Sequence, residues 1–128
     1  LSAKFYFMKL RIRGNSIRLR LTQNEVEKIK ETGLVEEKTE FPNSQNLTYL
    51  LSASAETDTP LTEFSNGKIE ILISKSMAEN WANSNEVGIY GTHGNIQIAV
   101  EKDFKCLTAR ESENESDNFP HPKTDKMC

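Results

Sequence analysis

The chain has 128 residues, 36% of them hydrophobic and 27% charged, which suits one domain built on a single core. Its net charge of −3 gives no general pull toward nucleic acid or anionic lipid. No apolar run approaches the ~20 residues of a membrane helix, and two cysteines, Cys106 and Cys128, are too few for a disulfide framework.

Either those two thiols pair across the loop between them or, in a reducing cytoplasm, both stay free; the chain reads as cytoplasmic. Residues 1–7 are apolar but too short for a signal segment, and no small-residue cleavage site follows them. Met8 opens a strongly patterned stretch, so 1–7 reads as an upstream extension. The charge is unevenly placed. Residues 1–20 hold Lys4, Lys9, Arg11, Arg13, Arg18 and Arg20 and no acid, which leaves ten bases against nineteen acids in the rest.

Residues 9–13 alternate polar and apolar, Gly14, Asn15 and Ser16 supply a turn, and 17–21 alternate again, which predicts a hairpin. Leu10 and Ile12 share one face, as do Ile17, Leu19 and Leu21, and the basic residues take the other. Thr22 and Glu25 form a capping box, Val26 and Ile29 a helical stripe, and Gly33 a left-handed end. A strand over 34–41 is stopped by Pro42, a loop covers 43–46, and a strand follows over 47–53. After Glu56 to Pro60, the segments 61–64 and 68–73 flank Asn66-Gly67, the strongest hairpin signal in the chain. Ser76 and Glu79 suggest a second capping box, with Met77, Ala78, Trp81 and Ala82 as the apolar stripe of its helix. A strand over 87–90, a turn over 91–94 and a strand over 95–100 complete the pattern. From Lys105 it fades. The acidic, serine-rich stretch 111–117 reads as exposed or disordered, and 119–122 as extended, with Phe119 placed to pin it back.

The chain also repeats itself at a spacing of 52. IRLRLT at 17–22 lines up with IEILIS at 69–74, Ile29 with Trp81, and Val35 with Val87, and a turn glycine precedes each copy at Gly14 and Gly67. KLRIRGNSIRLRL at 9–21, NGKIEILISKSMAE at 66–79 and NEVGI at 85–89 resemble the swapped-hairpin module of AbrB and MazE. That resemblance implies DNA binding and a two-unit barrel. Three departures stand against it: the family's proline is replaced at Leu21-Thr22 and Ile73-Ser74, two units lie in one chain rather than in a dimer, and the inserted strand region at 41–65 has no counterpart. Over its whole length, from Met8 through EKDFKCL at 101–107 to DNFPHP at 117–122, the chain also looks like a small bacterial family of unknown function. That second resemblance implies bacterial origin and no activity.

Candidate sites are few. Cys106, His121 and Cys128, with His93 or Asp103 as a fourth ligand, offer a zinc set but lack the close Cys-x-x-Cys pair that fixes two ligands in one turn. Cys106 near Lys102 and Lys105 is a conceivable nucleophile, although an ordinary small apolar role fits it as well. Gly88, Gly91 and Gly94 are not a phosphate loop, since no helix signal follows and no lysine with Ser or Thr closes the set. His93 reads as an exposed turn residue. The basic hairpin is the best candidate. Lys9, Arg11, Arg13, Arg18 and Arg20 could present one ammonium and four guanidiniums to a DNA groove or to an acidic protein. The competing reading is an internal network in which Glu36, Glu37 and Glu40 of a neighbouring strand pair with them.

These signals predict a mainly β, α+β domain over 8–104, with an extended acidic tail over 105–128. The expected architecture is an antiparallel, partly closed barrel of two similar strand-turn-strand-helix-strand halves at about 9–53 and 61–104. The alternative is an open antiparallel sheet with both helices on one face. No cofactor is implied and no catalytic motif is recognisable. Three functions follow: a small non-enzymatic binding or interaction protein, a DNA-binding regulator or antitoxin of AbrB/MazE type, or a small metal- or thiol-dependent enzyme.

Overall fold

A computed structural model describes residues 7–104 and Phe119. The elements are β1 (Lys9–Arg13), β2 (Ser16–Leu21), α1 (Gln23–Thr32), β3 (Leu34–Glu40), β4 (Asn46–Ser52), β5 (Leu61–Ser65), β6 (Lys68–Leu72), α2 (Lys75–Ala82), β7 (Gly88–His93) and β8 (Ile96–Lys102). The order strand, strand, helix, strand, strand thus occurs twice.

The strands form two four-stranded sheets, β1-β2-β8-β7 (sheet A) and β3-β4-β6-β5 (sheet B). Each sheet takes the first hairpin of one repeat and the second hairpin of the other. Within a sheet the hairpins are antiparallel, but they meet through a parallel ladder, β2 with β8 and β4 with β6. This corrects the expectation of an antiparallel, partly closed barrel: the sheets are mixed, and no ladder among the described residues joins one sheet to the other. The open arrangement with two helices fits better, with two sheets in place of one. The parallel seams arise because strands distant in sequence are brought together, and strand periodicity carries no information on which strands pair.

The two seams occupy the centre of the molecule. Leu19 opposite Val100 and Ile71 opposite Leu51 are equivalent pairs in the two ladders, and all four are fully buried. Val35, Ile73, Ile98 and the helical residues Ile29, Ala78 and Trp81 join them in one cluster. α1 and α2 pack on each other beside it, and Lys30 Nζ donates to Asn83 Oδ1 across their contact at 3.1 Å.

Local chemistry explains where the elements begin and end. Thr22 Oγ1 accepts from Glu25 N and Glu25 Oε1 accepts from Thr22 N at 2.9 Å, so the capping box is formed as expected. Gly33 closes α1 with φ 80°, its N–H bonded to Ile29 O at 3.0 Å. The cap of α2 is Ser74, whose Oγ accepts from Met77 N at 3.1 Å, and not Ser76 with Glu79. Ile73, fully buried and bonded to Ser52 O at 2.9 Å, fixes the chain immediately before Ser74, so the helix starts at the next residue. The 52-residue offset had already placed Ser74 opposite Thr22. The last hairpin also turns later than expected, at Gly94-Asn95, so Gly91, Thr92 and His93 belong to β7.

At Asn66-Gly67 both residues have positive φ, 50° and 72°, as the tight hairpin turn requires. A Cβ on Gly67 would also stand 2.8 Å from Asn46 O. Gly67→Ala should therefore lower stability by about 1.5 kcal/mol, and Gly94→Ala, with open space around it, by less. Equal midpoints for the two variants in urea unfolding would contradict the role of the Asn46 contact.

Candidate basic binding face

The outward side chains of sheet A stand in three rows set by the ladder register. One row is Lys9, Arg20, Glu101 and Gly88; the next is Arg11, Arg18, Ala99 and Tyr90; the third is Arg13, Ser16, Gln97 and Thr92. All five predicted binding residues therefore lie on one surface. Because alternate residues of a strand face opposite sides, the apolar Leu19 and Leu21 point into the core while the intervening arginines point out. Arg11, Arg13, Ser16, Arg18, Gln97 and Ala99 line a shallow depression of about 200 Å³, where the small side chain of Ala99 leaves room between longer ones.

Like charges stand side by side on this face. Lys9 lies opposite Arg20, and Arg11 opposite Arg18, so two successive rows set like charges side by side, an arrangement that costs stability. Glu101 serves two guanidiniums at once, with Oε1 at 3.4 Å from Arg18 Nε and 3.3 Å from Arg20 Nε. Arg18 Nε is buried and has no hydrogen-bond partner among the described residues. Asp103 Oδ2 lies 3.0 Å from Lys9 Nζ at the end of the face. Glu36, Glu37 and Glu40 stand on β3, which belongs to sheet B; among the described residues, Glu101 of β8 and Asp103 just beyond it pair with cations of the basic hairpin.

Tyr90 completes the arrangement. Its hydroxyl donates to Glu101 Oε2 at 2.8 Å and sits above Gly88, where a Cβ would come within 2.7 Å of it. Desolvation of the phenol, followed by the bond to Glu101 and that carboxylate's charge, pushes its pKa up to about 12.

The repeat supplies an internal comparison. Positions 9, 11, 13, 18 and 20 correspond to Leu61, Glu63, Ser65, Glu70 and Leu72 in the β5-β6 hairpin. The same backbone thus carries leucines and acids on sheet B, where Glu70 accepts from Ser52 Oγ at 2.9 Å. The fold does not require cations at these positions. Their concentration on sheet A belongs to this face alone.

Other predicted site residues are placed differently. His93 ends β7, and its Nδ1 accepts from Thr62 N of β5 at 3.0 Å, so it links the two sheets and is not a turn residue. Asp103 is engaged with Lys9, and its N–H is bonded to Leu21 O at 2.8 Å. Cys106, His121 and Cys128 lie outside the described residues; among the described ones no group of three or more His, Cys, Asp or Glu is placed to hold a metal ion. No helix among the described residues is long and apolar enough to cross a membrane. Sequence reasoning missed Glu101, Tyr90, Gln97 and Ala99, since only the parallel seam brings β8 beside the basic hairpin.

The model of a Family of unknown function (DUF7009) matches residues 8–123, and the chain belongs to that family. No curated protein matches it, and neither does any solved structure.

Proposed function

For this member of a family without an assigned activity, we propose a small non-enzymatic binding protein that takes an acidic protein segment on the outer face of sheet A. The binding domain spans 8–104, carries the acidic tail 105–128, and works in the bacterial cytoplasm. One observation carries this reading. Two like-charge rows, Lys9 with Arg20 and Arg11 with Arg18, are retained beside a depression lined by three arginines, where the equivalent hairpin has none. Retained electrostatic cost at a surface is the expected mark of a site that an anionic partner relieves. An acidic protein is favoured over DNA because the chain as a whole is negative, at −3, which opposes approach to a polyanionic duplex.

A poly-glutamate peptide and a mixed-sequence DNA duplex, titrated across a salt series, separate the readings. The peptide should bind with an affinity that falls as salt rises, and Arg11→Gln with Arg18→Gln should weaken it about tenfold. Tighter binding of the duplex, lost in the same variant, would transfer the site to the DNA-binding regulator reading. No binding of either probe would overturn both.

A further inference from the structure

We infer that the acidic partner is a second copy of this chain, which docks the outer side of its sheet B on the basic face of sheet A. This rests on the reading that the face binds acidic protein, and names that protein. Both sheets turn one side to a single core cluster, so their outer sides look away from each other. The outer side of sheet B stands in the same three rows. Its middle row is Glu63, Glu70, Leu50 and Glu36, at the places where sheet A has Arg11, Arg18, Ala99 and Tyr90. Glu63 lies opposite Glu70 as Arg11 lies opposite Arg18. Each sheet therefore keeps a like-charge pair at the same point of the repeat, and the two pairs have opposite sign. Glu36 and Glu63 are exposed and Glu70 is half-buried.

The repeat gives the two faces one geometry. Turning one over onto the other with the strands antiparallel keeps equivalent strands and middle rows together. Glu63 and Glu70 then meet Arg11 and Arg18, Leu50 meets Ala99 beside the depression, and Glu36 meets Tyr90. The row Ser65, Lys68, Thr48 and Lys38 falls on the row of Glu101, which sets the one acid of sheet A's three rows under Thr48 with Lys68 and Lys38 on either side. Arg20 comes opposite Lys68, with Glu101 beside both. Arg11 and Arg18 each have an interaction within their own chain, and docking leaves it in place: what is matched is the sign of each row's charge. Four strands ~4.8 Å apart and ~17 Å long offer about 320 Å² per copy, which makes the contact weak and salt-sensitive. The two faces are different surfaces of one molecule, so the contact is head-to-tail and each added copy leaves one face of each kind open.

Sedimentation equilibrium of the full chain tests this. At low salt the average mass should rise with protein concentration, and at high salt it should return to that of one copy. Glu36→Lys with Glu63→Lys, two exposed positions, should weaken self-association about tenfold and leave the affinity for poly-glutamate, measured on dilute protein, unchanged. Mixing that variant with Arg11→Gln, Arg18→Gln leaves one intact face on each protein, and should give a one-to-one complex that grows no further. A mass of one copy at every concentration in low salt overturns the inference; poly-glutamate binding in the same protein would leave the proposed function standing. Self-association that survives in the Glu36→Lys, Glu63→Lys variant also overturns it, as does a mixture that forms no complex. Self-association with the expected variant behaviour but no poly-glutamate binding upholds the inference and removes other acidic segments as partners.

Discussion

Trp81→Ala should lower the unfolding free energy by about 4 kcal/mol, the largest loss expected of any single truncation in the chain. Trp81 is 1% exposed and is the largest side chain that is fully buried. It belongs to the cluster that includes both sheets and both helices, so the space it leaves is bounded by elements that cannot all collapse into it. Its indole also does a second task. Nε1 donates to Val87 O at 3.1 Å, which fixes the chain just before β7. Trp81→Phe keeps much of the packing and loses that bond, so it should cost about 1.5 kcal/mol. Urea unfolding followed by circular dichroism measures both, because the only tryptophan is the residue removed. A loss below about 1 kcal/mol for Trp81→Ala would mean that α2 is not integral to the core.

Trp81 also shows what the sequence makes legible. Its spacing from Met77 and Ala78 marks a helical stripe, and its alignment with Ile29 marks an equivalent helix, because both signals are local or strictly periodic. The Thr22–Glu25 cap, the Gly33 terminus and the Asn66-Gly67 turn were readable for the same reason: each depends on residues within four positions of one another. The alternation of 17–21 likewise put Leu19 and Leu21 inside and the arginines outside. It failed at Ile12, which is 54% exposed near the hairpin tip, and Phe64 at the equivalent place is 70% exposed. Long-range pairing left almost no trace. One clue was available in β4, where the adjacent Leu50 and Leu51 are both buried, as in a central strand covered on both faces. The candidate face was therefore half visible. Its cations follow from strand period, but the carboxylate that organises them sits on a strand about eighty positions away, joined through a parallel seam.

That carboxylate is the most informative single site on the face. Glu101→Gln should reduce stability by about 2 kcal/mol while raising affinity for an acidic peptide roughly threefold. Glu101, with its side chain 15% exposed, lies against Arg18 at 28% and Arg20 at 15%, so solvent screens these pairs only in part. Its removal takes away the carboxylate that Arg18 and Arg20 share, which raises the folded state's self-repulsion and makes the same surface a stronger anion receptor. Stability and binding therefore move in opposite directions, an outcome that simple loss of structure does not produce. The titration of Tyr90 gives a third readout. Its phenol is held protonated up to about 12 in the folded protein against 10.0 unperturbed, first by desolvation and then by the bond to Glu101. The folded state thus keeps a proton that the unfolded state gives up, so this group's contribution is intact below pH 10.0 and is lost as pH rises from there toward about 12. In Glu101→Gln the phenolic ionisation, followed by ultraviolet difference absorbance, should move back toward 10.0, and the alkaline loss of stability should become shallower. Unchanged Tyr90 titration in the variant would show that burial alone holds the proton, and an unchanged peptide affinity would show that Glu101 does not restrain the arginines it touches.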